Sequence, residues 1–371
     1  MFRKKINLYQ ITYFILIIKT LCGISKIFYN NIIDNILMVV GVGFAVMIMF
    51  KEKYTLKRFV FIFGLGIIIM ASCYYSGVYS LGISYLVIAL CANKNVEEFI
   101  RVLIKTQIAF LTFHVLYSAI LILKGNIGMV YMNYSNGIRF SFAMTHPNVF
   151  SLLVVSILIE WIWLNSVQLN KQAYFACCII CVITYCFTKT DAVLIVIAFL
   201  ILYSCANNVK LIQLIFNMSA RVIFPMLSIF IIILSNIYKI ANGKIGIFVK
   251  WLDVILSRRI AMAAFAAEMN PLRLFARQIK YYTGEYNFTY GLNGFNVDNV
   301  YLAFMYNYGL IYIILISIAF YILARKNDYR ISFLIVLFSA YGFVESQVML
   351  VTMFPCLLVI AFLARNRVNS I

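Results

Sequence analysis

The stretch Asn31 to Phe50, NIIDNILMVVGVGFAVMIMF, decides the fold. Its only charged side chain, Asp34, lies near its start, and the rest is almost unbroken apolar sequence. A spanning helix needs about 20 mostly apolar residues, so the stretch reads as a membrane span. The pattern recurs along the chain. Over 371 residues the composition is 64% hydrophobic and 12% charged, whereas soluble domains carry about a quarter charged residues. Pattern and composition together predict an all-α integral membrane protein.

Apolar stretches bounded by polar or charged residues predict about twelve transmembrane helices, near 7–25, 31–50, 58–75, 77–93, 103–123, 147–165, 173–188, 191–206, 221–238, 299–323, 331–345 and 347–364. Met1 to Lys5 followed by Ile11 to Ile18 has the outline of a signal peptide. No small-residue cleavage site follows and further spans come at once, so it reads as the first helix. With the amino terminus inside, residues 51–58, 93–105, 165–172, 207–221 and 325–330 and both termini are cytoplasmic. These segments hold most of the basic residues, as the positive-inside bias requires. The expectation is a single polytopic membrane domain over 1–371, including one long external loop at 239–298. A net charge of +19 would suit a nucleic-acid binder if it were gathered on a soluble module; here it is scattered among helix ends, and no nucleic-acid partner is expected.

The long loop departs from the bias. Lys244, Lys250, Arg258, Arg259, Arg273, Arg277 and Lys280 face only Asp253, Glu268 and Glu285 before Asp298 opens the next span. Long loops partly escape the orientation rule, so a solvated basic surface is one reading. Periodicity offers another. Asn270 followed by Pro271 reads as an N-cap with proline at the first helical position, and Gly284 as a stop. On the helix predicted between them, Arg273, Arg277 and Lys280 share one face, opposite Leu272, Phe275, Ile279 and Tyr282. Such an amphipathic helix can lie in the membrane interface with its cations toward phosphate oxygens. Ser257 is predicted to cap another helix beginning at Arg258.

Elsewhere, chemistry-bearing residues are few. All nine cysteines lie in apolar runs; the Cys178/Cys181 pair has no histidine or carboxylate nearby and reads as apolar filler. His114 sits inside a span and reads as a hydrogen-bonded core residue. His146 lies at the outer mouth of a span, ahead of Pro147, where an imidazole near water suits proton transfer. Arg139 on the same external loop serves either as a phosphate clamp or as an interfacial anchor. Asp298 and Glu345 fall at predicted outer helix ends, where a carboxylate can accept a proton or pair with an arginine. No Gly-rich phosphate loop and no acidic cluster on any external connection is present, which argues against a metalloenzyme and a nucleotide-driven pump.

At these residues the chain resembles the Wzy-type polymerases of bacterial oligosaccharide repeat units, relatives of the O-antigen ligases. Four local matches carry the resemblance: Arg139-x-Ser-x-x-x-x-His146-Pro147-Asn148; Leu256-Ser257-Arg258-Arg259-Ile260; Asp298-Asn299-x-Tyr301 leading to Asn307-Tyr308-Gly309; and Tyr341-Gly342 followed by Glu345. Lys189, in Thr188-Lys189-Thr190, stands where such proteins often have an arginine, and the glycine turn of the long loop is displaced to Gly291 and Gly294.

The resemblance implies a fold of the GT-C membrane glycosyltransferase type, in the multi-pass inner (cytoplasmic) membrane of a bacterium. It also implies a reaction: a growing glycan moves from undecaprenyl diphosphate to the terminal sugar of the next lipid-linked repeat, with inversion at the anomeric centre. His146, Arg259, Asp298 and Glu345 would be catalytic, with His146 the first choice for the base. Arg139, Asn148, Arg258, Arg273, Arg277, Lys280, Asn299 and Tyr301 would bind substrate. No cofactor, nucleotide or metal is required, and a chain-length regulator is an expected partner by analogy. A ligase that moves the finished glycan to another acceptor would use nearly the same parts. A transporter or flippase of lipid-linked oligosaccharide would explain the spans without catalysis, although transporters commonly show broken helices and midplane ionisable groups, whereas only four prolines occur here.

Overall fold

The computed structural model describes residues 7–93, 95–134, 137–165, 169–240, 243–279, 283–287, 292–294 and 297–364. Its first helices are α1 (Leu8–Gly23), α2 (Asn31–Lys51), α3 (Leu56–Ser76), α4 (Ser80–Asn93) and α5 (Val96–Leu123). An antiparallel hairpin of β1 (Tyr131–Tyr134) and β2 (Gly137–Phe140) follows, with Met132 opposite Arg139. Next come α6 (Pro147–Asn165), α7 (Lys171–Thr188), α8 (Ala192–Ala206), α9 (Lys210–Ile240), α10 (Gly243–Ile255) and α11 (Arg259–Met269). A second hairpin of β3 (Thr283–Asn287) and β4 (Leu292–Gly294) precedes α12 (Val300–Leu302), α13 (Leu310–Ala324), α14 (Tyr329–Gly342) and α15 (Ala361–Ala364).

Among the described residues six helices, α2, α3, α5, α6, α7 and α9, are long and apolar enough to cross a membrane. Five shorter ones, α1, α4, α8, α13 and α14, are also apolar. Their outward faces are apolar too. On α2, Ile32, Val39 and Phe50 are 71%, 72% and 68% exposed, a continuous surface that suits hydrocarbon and not water. Among the described residues the protein is therefore nearly all-α, apart from two short hairpins, and it is membrane-embedded.

Asparagine sets where several helices begin. The side chains of Asn7, Asn30, Asn95 and Asn170 accept backbone N–H groups in the first turns of α1, α2, α5 and α7, all within 3.3 Å. They satisfy donors that a helix leaves orphaned. Two helices run further than hydropathy alone suggests. α5 starts at Val96, with Glu97 and Glu98 in its first turn, where negative charge complements the helix dipole. α9 starts at Lys210 rather than near residue 221 and continues through Pro225; its 31 residues extend over about 46 Å, well beyond a hydrocarbon core of about 30 Å.

Internal contacts divide the chain into two units, one comprising Met1–Ile62, Ile83–Ile212 and Leu350–Ile371, the other Phe63–Gly82 and Gln213–Met349. In the first, α1 packs on α2 and α5, and α5 on α6. Tyr13 meets Phe99 edge-on at 5.0 Å between ring centres. In the second, Phe224 of α9 is the centre of an aromatic core. Its ring lies 5.0 Å from Tyr301, 5.4 Å from Phe320, 6.1 Å from Phe338 and 6.4 Å from Phe304.

Three predicted elements take other forms. The stretch predicted as a twelfth span, 347–364, is mostly not α-helical: it forms 3-10 turns at Ser346–Met349 and Pro355–Ile360 before α15. Side chains take over the backbone bonds that a helix would have supplied. Gln107 donates to the carbonyls of Thr352 and Met353, at 3.3 and 3.4 Å, and Val351 N–H donates to Ser84 Oγ at 3.2 Å. The predicted span at 299–323 is divided. A π-helical stretch, Ala303–Tyr308, ends at Gly309, which adopts φ +97° between α12 and α13.

The third difference is the basic amphipathic helix predicted between Asn270 and Gly284. Residues 271–279 form no helix, and Gly284 lies in β3. The carbonyls of Arg273 and Leu274 instead accept the N–H groups of Leu310 and Ile311, at 2.9 and 3.1 Å. They satisfy the first turn of α13, so tertiary donors displaced local ones. Lys280, Tyr282, Gly291 and both chain termini lie outside the described residues.

Gly309 makes that docking possible, because a Cβ there would collide with the Leu274 carbonyl and the φ value itself favours glycine. Gly309→Ala should destabilise the fold by about 2–4 kcal/mol. A thermal-unfolding midpoint of the detergent-solubilised variant equal to that of wild type would contradict this account of the α12–α13 break.

Candidate functional site

In the first unit, Arg139 projects from β2, and its guanidinium joins three segments. Nε donates to the Thr188 carbonyl at 2.7 Å, and Nη2 donates to Asn148 Oδ1 at 2.8 Å and Thr190 Oγ1 at 3.2 Å. Thr190 Oγ1 also donates to Asn148 Oδ1 at 3.2 Å. The Thr188 carbonyl is available because Lys189 turns left-handed at φ 51° and ends α7, leaving last-turn carbonyls without helical partners. A cation at a helix C-terminus also meets the negative end of its dipole. Arg139 thus connects the hairpin, the start of α6 and the turn between α7 and α8. Thr188 and Thr190 were not singled out as site residues; two threonines flanking a lysine between apolar runs are the only sequence signal for them.

His146 stands one residue ahead of α6. Its Nδ1 accepts the backbone N–H of Asn148 at 3.1 Å. The peptide nitrogen can only donate, so Nδ1 carries no proton in this arrangement and the neutral ring holds its proton on Nε2. With Nδ1 engaged by the start of α6, His146 is not placed as a base. His114, by contrast, behaves as a core residue: it is buried, with Nδ1 3.0 Å from the Phe142 carbonyl.

The second unit brings together three stretches that are far apart in sequence. Arg259, the first residue of α11, donates through Nε and Nη2 to the Val344 carbonyl, at 3.1 and 2.7 Å, and through Nη1 to the Leu256 carbonyl at 3.1 Å. Val344 follows the end of α14 at Gly342, so the arginine serves a chain segment that has just left its helix. Arg259 also acts electrostatically on Asp298 and Glu345, and Asp298 acts on Glu345. Among the described residues Arg259 forms no ion pair within 4.0 Å, so the three charges interact without closing on one another.

Both carboxyls are shifted toward the neutral acid. Burial pushes Glu345 up to about 7, and Asp298 adds to the rise; the backbone N–H groups of Gln347 and Ser346 and the charge of Arg259 oppose it. Burial raises Asp298 above its ordinary value, and Arg259 opposes that. A carboxyl titrating near neutrality beside a cation can exchange a proton at working pH.

The start of α11 is held by a residue that the sequence reading passed over. Ser257 was expected to cap a helix from Arg258, but Ser257 and Arg258 both adopt positive φ, 52° and 67°, and α11 begins at Arg259. Asp253, from the last turn of α10, supplies the cap: its Oδ1 accepts the N–H groups of Ile260 and Ala261 at 2.8 and 2.9 Å. Burial raises the Asp253 pKa, while those two N–H groups and Arg258 oppose the shift. Arg258 itself is exposed.

The remaining site candidates separate by burial. Asn299 is buried and caps α12, its Oδ1 accepting Leu302 N–H at 2.8 Å. Tyr301 was expected to touch substrate, but it is fully buried, with its hydroxyl donating to the Ser339 carbonyl at 2.8 Å and its ring in the Phe224 core. It is a packing residue, because its polar end and its ring face are both occupied inside the protein. Arg273 is exposed and Arg277 half-buried on the extended segment after α11, so their cationic side chains occur without the predicted helix.

Because Glu345 has a higher pKa in the folded protein than its ordinary 4.5, its contribution to stability is complete below about 4.5 and is lost as pH rises through about 7. The thermal-unfolding midpoint of wild type should therefore fall more steeply between pH 5 and 8 than that of Glu345→Gln. Parallel curves for the two proteins would contradict the shift. Compared with known proteins, the chain matches no family model, no curated protein and no solved structure.

Proposed function

We propose that the protein is a membrane glycosyltransferase that polymerises lipid-linked oligosaccharide repeat units at the outer face of a bacterial inner membrane. The observation that carries this reading is the meeting of Arg259, Asp298 and Glu345, each from a different one of the sequence matches quoted above, with a carboxyl poised near neutrality. Transfer of a glycan from a diphosphate carrier needs a group that takes a proton from the acceptor hydroxyl and positive charge where the leaving diphosphate develops negative charge.

In this scheme Glu345 is the base, replacing His146, whose Nδ1 is occupied. The acceptor oxygen attacks the anomeric carbon of the growing chain and its proton passes to Glu345. The bond from that carbon to the diphosphate oxygen breaks, and undecaprenyl diphosphate leaves with the electron pair. Arg259 supplies positive charge beside the base, with Arg258, Arg273 and Arg277 further along the same loop. A preorganised donor of this kind is worth about 10² to 10³ in rate, and a positioned base about 10² to 10⁴. Asp298 helps keep the Glu345 carboxyl near neutral pKa. Arg139 and Asn148, in the first unit, hold the outer end of α6. The substrate is the undecaprenyl diphosphate-linked repeat, and a chain-length regulator is the natural protein partner.

The test is the length of surface glycan on gels from cells lacking this protein, complemented with wild type, Arg259→Ala or Glu345→Gln at matched membrane levels. Wild type should restore a ladder to a null strain that shows single repeats, and each variant should lose it. Long polymer retained on its carrier in the null strain would favour a ligase, and repeats accumulating on the cytoplasmic side would favour a flippase; either result would displace the polymerase reading.

A further inference from the structure

The interior of the first unit contains a polar cluster unrelated to either group of site residues. Glu160 of α6 is 0% exposed and lies ~20 Å along that helix from Pro147. Ser156, one turn earlier, donates to its Oε1 at 2.6 Å. The other carboxyl oxygen, Oε2, is buried and has no partner among the described residues. Gln107 of α5 is also 0% exposed. Its amide nitrogen lies 3.5 Å from Ser156 Oγ, besides the Thr352 and Met353 carbonyls, whereas its Oε1 is likewise buried without a partner. Thr352, whose carbonyl Gln107 holds, pairs its hydroxyl with that of Thr20 at 2.9 Å.

The imbalance has a definite sign. The amide and hydroxyl hydrogens are already engaged, and the two atoms left over, Glu160 Oε2 and Gln107 Oε1, are both acceptors, on two residues that Ser156 connects through their other polar atoms. An uncompensated carboxylate in a membrane protein interior is costly. The ion pairs among the described residues, Lys19–Asp34 and Arg101–Glu97, do not include Glu160. A bound water would satisfy hydrogen bonds and leave the charge. A positive ion answers both needs. An all-oxygen set suits a hard cation, and a single carboxylate balances one positive charge and no more.

We propose that Glu160 and Gln107, joined by the Ser156 hydroxyl, bind one small monovalent cation of the sodium type inside the helix bundle. The site is independent of the proposed transferase reading, since it shares no residue with the groups assigned to that chemistry. The ion would hold α5 and α6 around one charge.

The test is thermal unfolding of the purified full-length chain in lipid nanodiscs at pH 8 and constant ionic strength, with sodium replacing choline up to 100 mM. For a dissociation constant on the order of 1 mM, wild type should gain roughly 3–4 °C. Glu160→Gln keeps the shape of the side chain and removes its charge, and should unfold cooperatively with no sodium dependence; Gln107→Leu should shift the sodium midpoint at least tenfold upward. A wild-type midpoint that does not respond to sodium would mean that a proton on Glu160 neutralises the site, and would overturn the proposal. An equal sodium response in wild type and Glu160→Gln would overturn it as well, by placing the ion elsewhere.

Discussion

In a hydrocarbon surround every backbone N–H and C=O must find a partner inside the protein, and this constraint organises the whole chain. Where a helix runs unbroken, it is met locally. Where one stops or bends, a side chain or another segment has to meet it. The places where that happens are few and recognisable: asparagines at helix starts, Arg139 on the carbonyl that ends α7, Arg259 on Val344 beyond α14, and Gln107 on the buried turn at Thr352 and Met353. Each is a polar or charged residue in a chain that has few of them.

The candidate chemistry is concentrated at the same breaks. Arg259 is held in place by the segment it completes, so its charge is fixed where Asp298 and Glu345 feel it. The Glu345 carboxyl is pushed up toward neutrality because it is partly buried just past a helix end, where backbone N–H groups are near but insufficient to hold it ionised. A residue engaged in structure is thereby oriented for chemistry, and this places Arg259 and Glu345 apart from cations on the exposed loop such as Arg273.

Much of this was legible in the sequence. Twenty-residue apolar runs such as Asn31 to Phe50 announce helices whatever surrounds them, and Asn30 marks where the first full run begins. The residues of the second-unit cluster were also identifiable one by one, because charges bordering apolar runs are conspicuous. What could not be read was which donors would compete for which carbonyls. The Asn270–Pro271 start and the i, i+4, i+7 spacing of the basic residues favour a helix locally, yet Leu310 and Ile311 drew the Arg273 and Leu274 carbonyls into a long-range pairing. Ser257 looked like a cap, and Asp253, too far off for any capping pattern, did the capping. The run at 347–364 is apolar enough for a span, but Pro355 and the side chains of Gln107 and Ser84 support a folded turn that is mostly not α-helical.

The pairing of Arg273 and Leu274 with α13 also bears on how the basic loop can move. A loop that swung away as a lid would break the two bonds that cover the first N–H groups of α13, at about 1 kcal/mol each. The stretch around Arg273 is therefore tied to the start of α13 within the second unit. Any opening needed to admit a bulky molecule has to come from parts of the chain that carry no such obligation.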